Sequence, residues 1–407
     1  MSMDNKVPEI RFEGFSGEWV ERSWSDTVDI STNMVDPRNC QYGDLFHVGP
    51  GNIESFTGRF YNNILKVKNS NLISGKFHFN KGDIIYGKIN PQLAKYVIAP
   101  FEGLASADAY VLNAKNGVVQ NYLFAILHTK DFYKYTVSVS SRTGMPKINR
   151  DELNIYNYMA PSESEQTQIG NYFQKLDVLI NQHQQKHDKL NSIKKAMLEK
   201  MFPKIGKAIP EIRFKGFSGE WEEKVLGTDV AEIIGGGTPS TSISEFWGGD
   251  IDWYSPTEIG DNVYAEGSQK KITALGLKSC SARILPAGNT VLFTSRAGIG
   301  DMAILAKPGT TNQGFQSFVV KEGFYPYFLY SAGKQIKEFA LKHASGSTFL
   351  EISGKQLGRM KILMPSLEEQ TAVGNYFQNI DNLINQHQQQ ITKLNNIKQA
   401  CLSKMFV

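Results

Sequence analysis

Residues 7–19 read VPEIRFEGFSGEW, and residues 209–221 read IPEIRFKGFSGEW; eleven of the thirteen positions are identical, and the copies stand 202 residues apart. A second duplication follows. Residues 161–202, PSESEQTQIGNYFQKLDVLINQHQQKHDKLNSIKKAMLEKMF, match residues 365–406, PSLEEQTAVGNYFQNIDNLINQHQQQITKLNNIKQACLSKMF, at an offset of 204. Between these shared stretches lie two centres, 22–160 and 222–364, that barely resemble each other. The order shared, variable, shared therefore runs twice. That is the pattern of a duplicated unit with a common frame and divergent centres.

The second pair of shared stretches reads as two long helices. Each opens with Pro and Ser followed by acids and Gln, a helix-start signature. Neither has a later Pro, and the single glycine of each, Gly170 and Gly374, lies in the first turns. Seam positions then alternate in steps of four and three: Ile169, Phe173, Leu176, Ile180, His183, His187 and Leu190 in one copy, Val373, Phe377, Ile380, Ile384, His387, Ile391 and Leu394 in the other. A 3.5-residue period predicts a coiled-coil seam. Helices over 166–201 and 370–405 would each be about 50 Å long at ~1.5 Å per residue. The natural partner of each is the other copy, paired antiparallel and crossing near His183 and His387.

The centres read as mixed α/β. GDIIYGKI (82–89), GNTVLFTSR (288–296), ASADAYVL (105–112) and NQGFQSFVV (312–320) are strand-like; NYLFAILHTKDFYKYTV (121–137) and YPYFLYSAGKQIKEFAL (325–341) are amphipathic helix patterns. The fold expected is α+β: two mixed α/β domains, 1–160 and 209–364, with helical spacers at 161–208 and 365–407, related by a pseudo-two-fold axis. A chain of 407 residues, 41% apolar, suits two or more cored domains.

Composition narrows the function classes. No secretory segment follows the opening MSMDNK, and no apolar run approaches the ~20 residues of a membrane span. Cys40, Cys280 and Cys401 have no disulfide or metal-ligand spacing, which points to a reducing cytoplasm. The net charge is only +4, with 15 Lys/Arg against 11 Asp/Glu in residues 22–160 and 14 of each in 222–364. Contact with nucleic acid must then come from local patches. No phosphate-cradling P-loop is present. NPQL (90–93) lacks the second Pro and the aromatic of an amino-methyltransferase motif, and GGGT (235–238) and RAGIGD (296–301) lack a dinucleotide-site setting. His183 and His187 stand at i, i+4, but Ile391 replaces the second histidine in the other copy, which favours a polar seam layer over a metal site. The residues describe a binder, with no catalytic group and no cofactor of its own.

Polar loops at matching places say what is bound. YGKINPQLAK (86–95) offers Lys88, Asn90, Gln92 and Lys95; its counterpart FTSRAGIGD (293–301) offers Thr294, Ser295 and Arg296. TTNQGF (310–315) adds Asn312 and Gln313. Just before the long helices, SSRTGMPKIN (140–149) carries Arg142, Thr143 and Lys147, and ASGSTFLEIS (344–353) carries Ser345, Ser347 and Thr348. Arg and Lys read guanine, Asn and Gln read adenine, and Ser and Thr read either. One such loop is an ordinary solvated turn. Recurrence at the same places in both halves, with different residues, carries the argument.

The PEIRF(E/K)GFSGEW openings, the EQ…GNYF…D.LI helices and GGGTPS…FWGGDIDW (235–253), with Thr238 and Ser240, resemble the specificity subunit of type I restriction–modification systems over essentially the whole chain. The resemblance implies two target-recognition domains, each reading half of an interrupted sequence in double-stranded DNA. It implies an antiparallel helix pair that spaces them and docks two methyltransferase subunits, with restriction–translocase subunits joining. Adenine N6 methylation with S-adenosylmethionine, and restriction with ATP and Mg, would reside in those partners. The helix pair would act as a ruler for a spacer of about six base pairs, given ~34 Å per duplex turn. The competing readings are the specificity subunit of another multi-subunit methylase–nuclease, and a coiled-coil scaffold with two protein-binding heads.

Overall fold

The computed structural model describes residues 6–141, 144–260, 262–296, 298–346 and 350–407. The chain divides into two compact units. The first comprises residues 1–184 and 389–407, the second residues 185–388. The boundaries fall inside the long helices rather than at their ends.

In the first unit β1 (Val20–Ser23) leads through a short α1 (Trp24–Thr27) to β2 (Val28–Ile30) and β3 (Met34–Val35). There follow β4 (Phe46–Val48), β5 (Leu65–Lys66), β6 (Lys76–Phe79), β7 (Ile84–Gly87), β8 (Tyr96–Ile98), β9 (Gly103–Ala105) and β10 (Ala109–Ala114). One sheet has the order β2-β10-β7-β8 and a second the order β3-β6-β9-β4-β5. Then come α2 (Gln120–Leu127), α3 (Lys130–Ser140), α4 (Arg150–Asn154) and β11 (Asn157–Ala160), which pairs with β1, and the long α5 (Glu163–Lys200).

The second unit repeats this plan. β12 (Glu222–Val225) pairs with β21 (Lys361–Met364), as β1 does with β11. Between them run β13 (Ala231–Gly235), β14 (Trp247–Tyr254), β15 (Tyr264–Ala265), β16 (Lys270–Ile272), α6 (Ala274–Lys278), β17 (Thr290–Phe293), β18 (Met302–Leu305), β19 (Gly309–Thr311), β20 (Gln316–Val320), α7 (Pro326–Ser331), α8 (Gly333–His343) and α9 (Gly354–Leu357). The sheets have the orders β13-β20-β17-β18-β15 and β16-β14-β19. The long α10 (Leu367–Lys404) closes the chain. The fold class is the α+β tandem repeat expected. One difference is local: each amphipathic pattern predicted as one helix is two. Thr129 caps α3, its hydroxyl accepting from the Phe132 amide, and Ala332 alone separates α7 from α8.

The shared frame is a set of paired contacts made once in each unit. Arg11 donates two hydrogen bonds to Glu165, both at 2.7 Å, and Arg213 does the same to Glu369 at 2.7 and 2.6 Å. Gln166 accepts from the Val119 amide and Gln370 from the Tyr325 amide, each at 3.0 Å. These bonds tie the PEIRF arginine and the helix-start Glu-Gln to the globule, and the near-complete burial of Glu165 and Glu369 makes either carboxylate costly without its arginine. Gly170 and Gly374 let the helices cross closely. A Cβ at Gly170 would lie 2.7 Å from Asn121 Cβ, and one at Gly374 2.5 Å from the Tyr325 ring.

Each unit also holds an antiparallel helix pair. In the first, the start of α5 runs against the end of α10: Phe173 meets Phe406, and Asp177 meets Lys398. In the second, the end of α5 runs against the start of α10: Phe202 meets Phe377, and Lys194 meets Asp381. The seam residues Ile169, Phe173, Leu176 and Ile180, and Val373, Phe377 and Ile380, are buried as predicted. Both helices pass from one unit to the other one residue after His183 and His387.

Candidate nucleic-acid interface

The candidate surface of the first unit grows from the end of the β7–β10 ladder. Gly87 pairs with Ala109, and beyond that rung the Lys88 amide donates to the Asp108 carbonyl at 3.0 Å. The Lys88 carbonyl accepts from Ile148 at 3.0 Å, the Asn90 amide donates to Pro146 at 2.7 Å, and Ile89 bridges Lys147. The two loops singled out in the sequence of this half therefore lie side by side. Asn90 and Ala94 take positive φ, 48° and 44°, on either side of the tight turn Pro91–Leu93. Asn tolerates that conformation; for Ala it costs about 1–2 kcal/mol, strain that surrounding contacts hold in place.

Side chains sort by environment. Lys147 and Gln92 are exposed, and Asn90 is half-buried. The half-buried Lys88 ammonium sits 5.4 Å from the centre of the Tyr110 ring. Burial lowers its pKa, with Lys147 and Arg150 acting in the same direction and Asp108 opposing them. Lys95 is committed to structure, its ammonium donating to the Pro50 carbonyl at 2.7 Å. Arg150, which the sequence reading missed, donates to the Ile30 and Ser31 carbonyls at 2.7 Å each and lies 5.6 Å from the same Tyr110 ring. A signal for it existed: a cation in the first turn of α4 opposes the helix dipole and needs another reason to be there.

In the second unit the same ladder end is closed over. Thr294 and Ser295 are fully buried. The Thr294 hydroxyl donates to the Gly298 carbonyl at 2.6 Å and accepts from the Asp301 amide at 2.9 Å, and Ser295 bonds Gly314 and Ile352 through its backbone. The expectation that these two side chains read bases is corrected. They shape the turn that follows β17 and present nothing to a ligand. Arg296 is half-buried and bridges Glu351, which also bridges the exposed Ser345, so the two expected loops meet here as well. Asn312 accepts from the Gly314 amide at 2.7 Å, which fixes its own turn. Exposed Gln313 accepts from the Thr238 hydroxyl. Exposed Ser240 lies 2.8 Å from the Ser242 hydroxyl, beside Trp247. Arg142, Thr143, Ser347 and Thr348 lie outside the described residues.

What these surfaces offer is hydrogen-bonding and cationic. Among the described residues no group of three or more His, Cys, Asp or Glu could hold a metal ion, and no helix is long and apolar enough to cross a membrane.

A repeated frame carrying two differently furnished polar surfaces defines a class of tandem recognition proteins. The family model described as type I restriction modification DNA specificity domain matches residues 17–192 and again 218–396, and the chain belongs to that family. Among its relatives, the type I restriction enzyme MjaIX specificity subunit of Methanocaldococcus jannaschii is 38% identical over 46% of this chain and 44% of its own length. The HindI specificity subunit of Haemophilus influenzae is 24% identical over 71% of this chain and 78% of its own. The EcoDI specificity subunit of Escherichia coli is 32% identical over 45% of this chain and 41% of its own length, so the MjaIX and EcoDI matches span under half of those relatives. The crystal structure of a type I restriction–modification system S subunit from M. genitalium shares the fold, with a TM-score of 0.70 at 14% identity, covering 98% of this chain and 99% of that one.

Proposed function

We propose that this chain is the DNA-reading subunit of a type I restriction–modification system, binding a bipartite, interrupted target in double-stranded DNA. Each unit reads one half-site. Two copies of a methyltransferase subunit, and restriction subunits, are directed to the target by the bound chain. The chain does no chemistry itself: S-adenosylmethionine, ATP and Mg serve the partners, in the cytoplasm where the genome lies. The supporting observation is one comparison. The frame contacts Arg11–Glu165 and Arg213–Glu369 are the same in both units, while the ladder end carries Lys88 and Asp108 in one and Ser295 and Gly314 in the other. Identical frames suit identical partner subunits, and different surfaces suit different half-sites.

Exchanging residues 22–160 for those of a family member with another target tests this. Methylome sequencing of the host should then show one half of the methylated sequence changed, with the other half and the spacer kept. Simultaneous change in both halves would contradict two independent readers.

A further inference from the structure

We propose that Lys88 and Asp108 together read one G·C base pair in the half-site of the first unit, the lysine ammonium donating to guanine O6 and N7 and the carboxylate accepting from cytosine N4. This rests on the reading of the chain as a DNA-recognition subunit.

The two residues occupy the rung beyond Gly87–Ala109, where the Lys88 amide meets the Asp108 carbonyl. Directly opposed residues of an antiparallel pair project to the same face, with Cβ atoms about 5 Å apart. Tyr86 and Tyr110, one pair earlier on that face, form the floor. The Lys88 ammonium lies over Tyr110, 5.4 Å from the ring centre. Opposite charges so placed ordinarily close an ion pair, yet among the described residues neither Lys88 nor Asp108 has one. A half-buried ammonium and, on the residue joined to it by that backbone bond, an exposed carboxylate in the turn before β10 keep hydrogen-bonding capacity to spare.

The mixture of charge decides what fits. A phosphate would gain from Lys88 but be repelled by Asp108. The major-groove edge of a G·C pair presents acceptors on guanine and a donor on cytosine, which is the complement of an ammonium beside a carboxylate. Rigidity supports the same choice. The Lys88 backbone is bonded on both sides, to Asp108 and to Ile148, and Arg150 is anchored beside Tyr110 by the Ile30 and Ser31 carbonyls. Base readout needs such fixed donors, whereas exposed Lys147 on the neighbouring loop is free to follow a phosphate. In the second unit the corresponding backbone bond joins the Ser295 amide to the Gly314 carbonyl; Ser295 is fully buried and glycine has no side chain, so the device belongs to the first half-site alone.

The test uses the full chain assembled with its methyltransferase partner, acting on a duplex library with the first half-site randomised. Lys88→Ala and Asp108→Asn should each relax the same single position, lowering discrimination there roughly 5- to 150-fold, while the second half-site is read unchanged. Lys88→Arg, which keeps the charge and the donors, should retain guanine at that position. The proposal is overturned if the two variants relax different positions, if neither changes any preference, or if Lys88→Ala weakens all sequences equally with a shallower salt dependence, the mark of a phosphate contact. Should Lys88→Ala not fold, Lys88→Arg with Asp108→Asn decides alone. A wild-type complex without any sequence preference would instead remove the DNA-recognition reading itself.

Discussion

The Lys398 ammonium donates to the Asp177 carboxylate at 2.6 Å, and the same contact recurs 204 residues out of register as Lys194 to Asp381 at 2.5 Å. Each pair joins α5 to α10 inside one unit. Lys398 is 6% exposed and Asp381 7%, so each pair has a charge that water barely reaches. A buried ion pair gives little net stability, but a buried charge stripped of its partner is expensive. Lys398→Met should cost roughly 3 kcal/mol, read from urea unfolding. Lys398→Met combined with Asp177→Leu should recover most of that loss. Equal destabilisation by the single and double variants would show that packing, not charge pairing, sets the cost.

Acid should loosen the first unit before the second. His128 is buried, with its Nδ1 3.1 Å from the Tyr96 hydroxyl and 3.2 Å from the Lys398 ammonium. Burial first, and the Lys398 charge second, hold its pKa well below the usual histidine range. His47, also in the first unit, is lowered by burial and by Lys76. A histidine that stays neutral in the fold but protonates when unfolded contributes nothing above about pH 6.5 and destabilises by ~1.4 kcal/mol per pH unit below it. Asp177, whose pKa burial raises, works in the opposite sense. The second unit places the Tyr327 hydroxyl, not an imidazole, against Asp381 at 2.7 Å. Between pH 6.5 and 5, amides of α2 and α3 should lose hydrogen-exchange protection ahead of those of α7 and α8. His128→Asn should flatten that difference.

Gly170 and Gly374 separate helix propensity from packing. In an open helix Gly→Ala stabilises by about 1 kcal/mol. Here the added Cβ would meet Asn121 and the Tyr122 nitrogen at 2.7–2.8 Å in one unit, and Tyr325 ring atoms and the Phe328 nitrogen at 2.5–3.1 Å in the other. Backbone cannot give way as a flexible side-chain end can. Overpacking costs about 1–3 kcal/mol, so each Gly→Ala variant should lower Tm. A rise in Tm would mean that the helix shifts freely over the globule.

The frame was legible in the sequence because the chain states it twice: the repeated PEIRF opening and helix start are the stretches in which Arg11, Glu165, Gln166 and Gly170, with their copies, make the paired contacts. The 3.5-residue period gave the helix pair for the same reason that it buries Phe173 and Phe377: a seam needs regular spacing. The reading loops were legible in place but not in detail. Thr294 and Ser295 resemble Lys88 in setting, but a turn closed by Gly298 and Asp301 buries them, and no alternation of residue types announces that closure. Arg150 escaped notice because its role depends on carbonyls about 120 residues away, at Ile30 and Ser31. The break at Thr129 was hidden by an amphipathic pattern that runs straight through it.

Removing residues 389–407 should unfold the first unit and spare the second. In the first unit this tail supplies Lys398, Leu402, Met405 and Phe406; Phe406 packs against Trp19, Tyr122 and Phe173, and the Lys404 carbonyl accepts from the Ile10 amide at 2.9 Å. In the second unit the same places are filled from 185–203: Phe202 packs against Trp221, Phe328 and Phe377, and the Lys200 carbonyl accepts from Ile212 at 2.9 Å. Burying one large apolar side chain is worth about 1.5–3 kcal/mol. Losing three of them and leaving Asp177 unpaired consumes much of the ~5–15 kcal/mol that holds a domain together. Limited proteolysis followed by mass spectrometry should therefore find cleavage spreading through residues 6–160 of the truncated chain, with 209–364 resistant as in the full chain. Equal resistance of the two regions would show that the first unit keeps its core without the second helix's end.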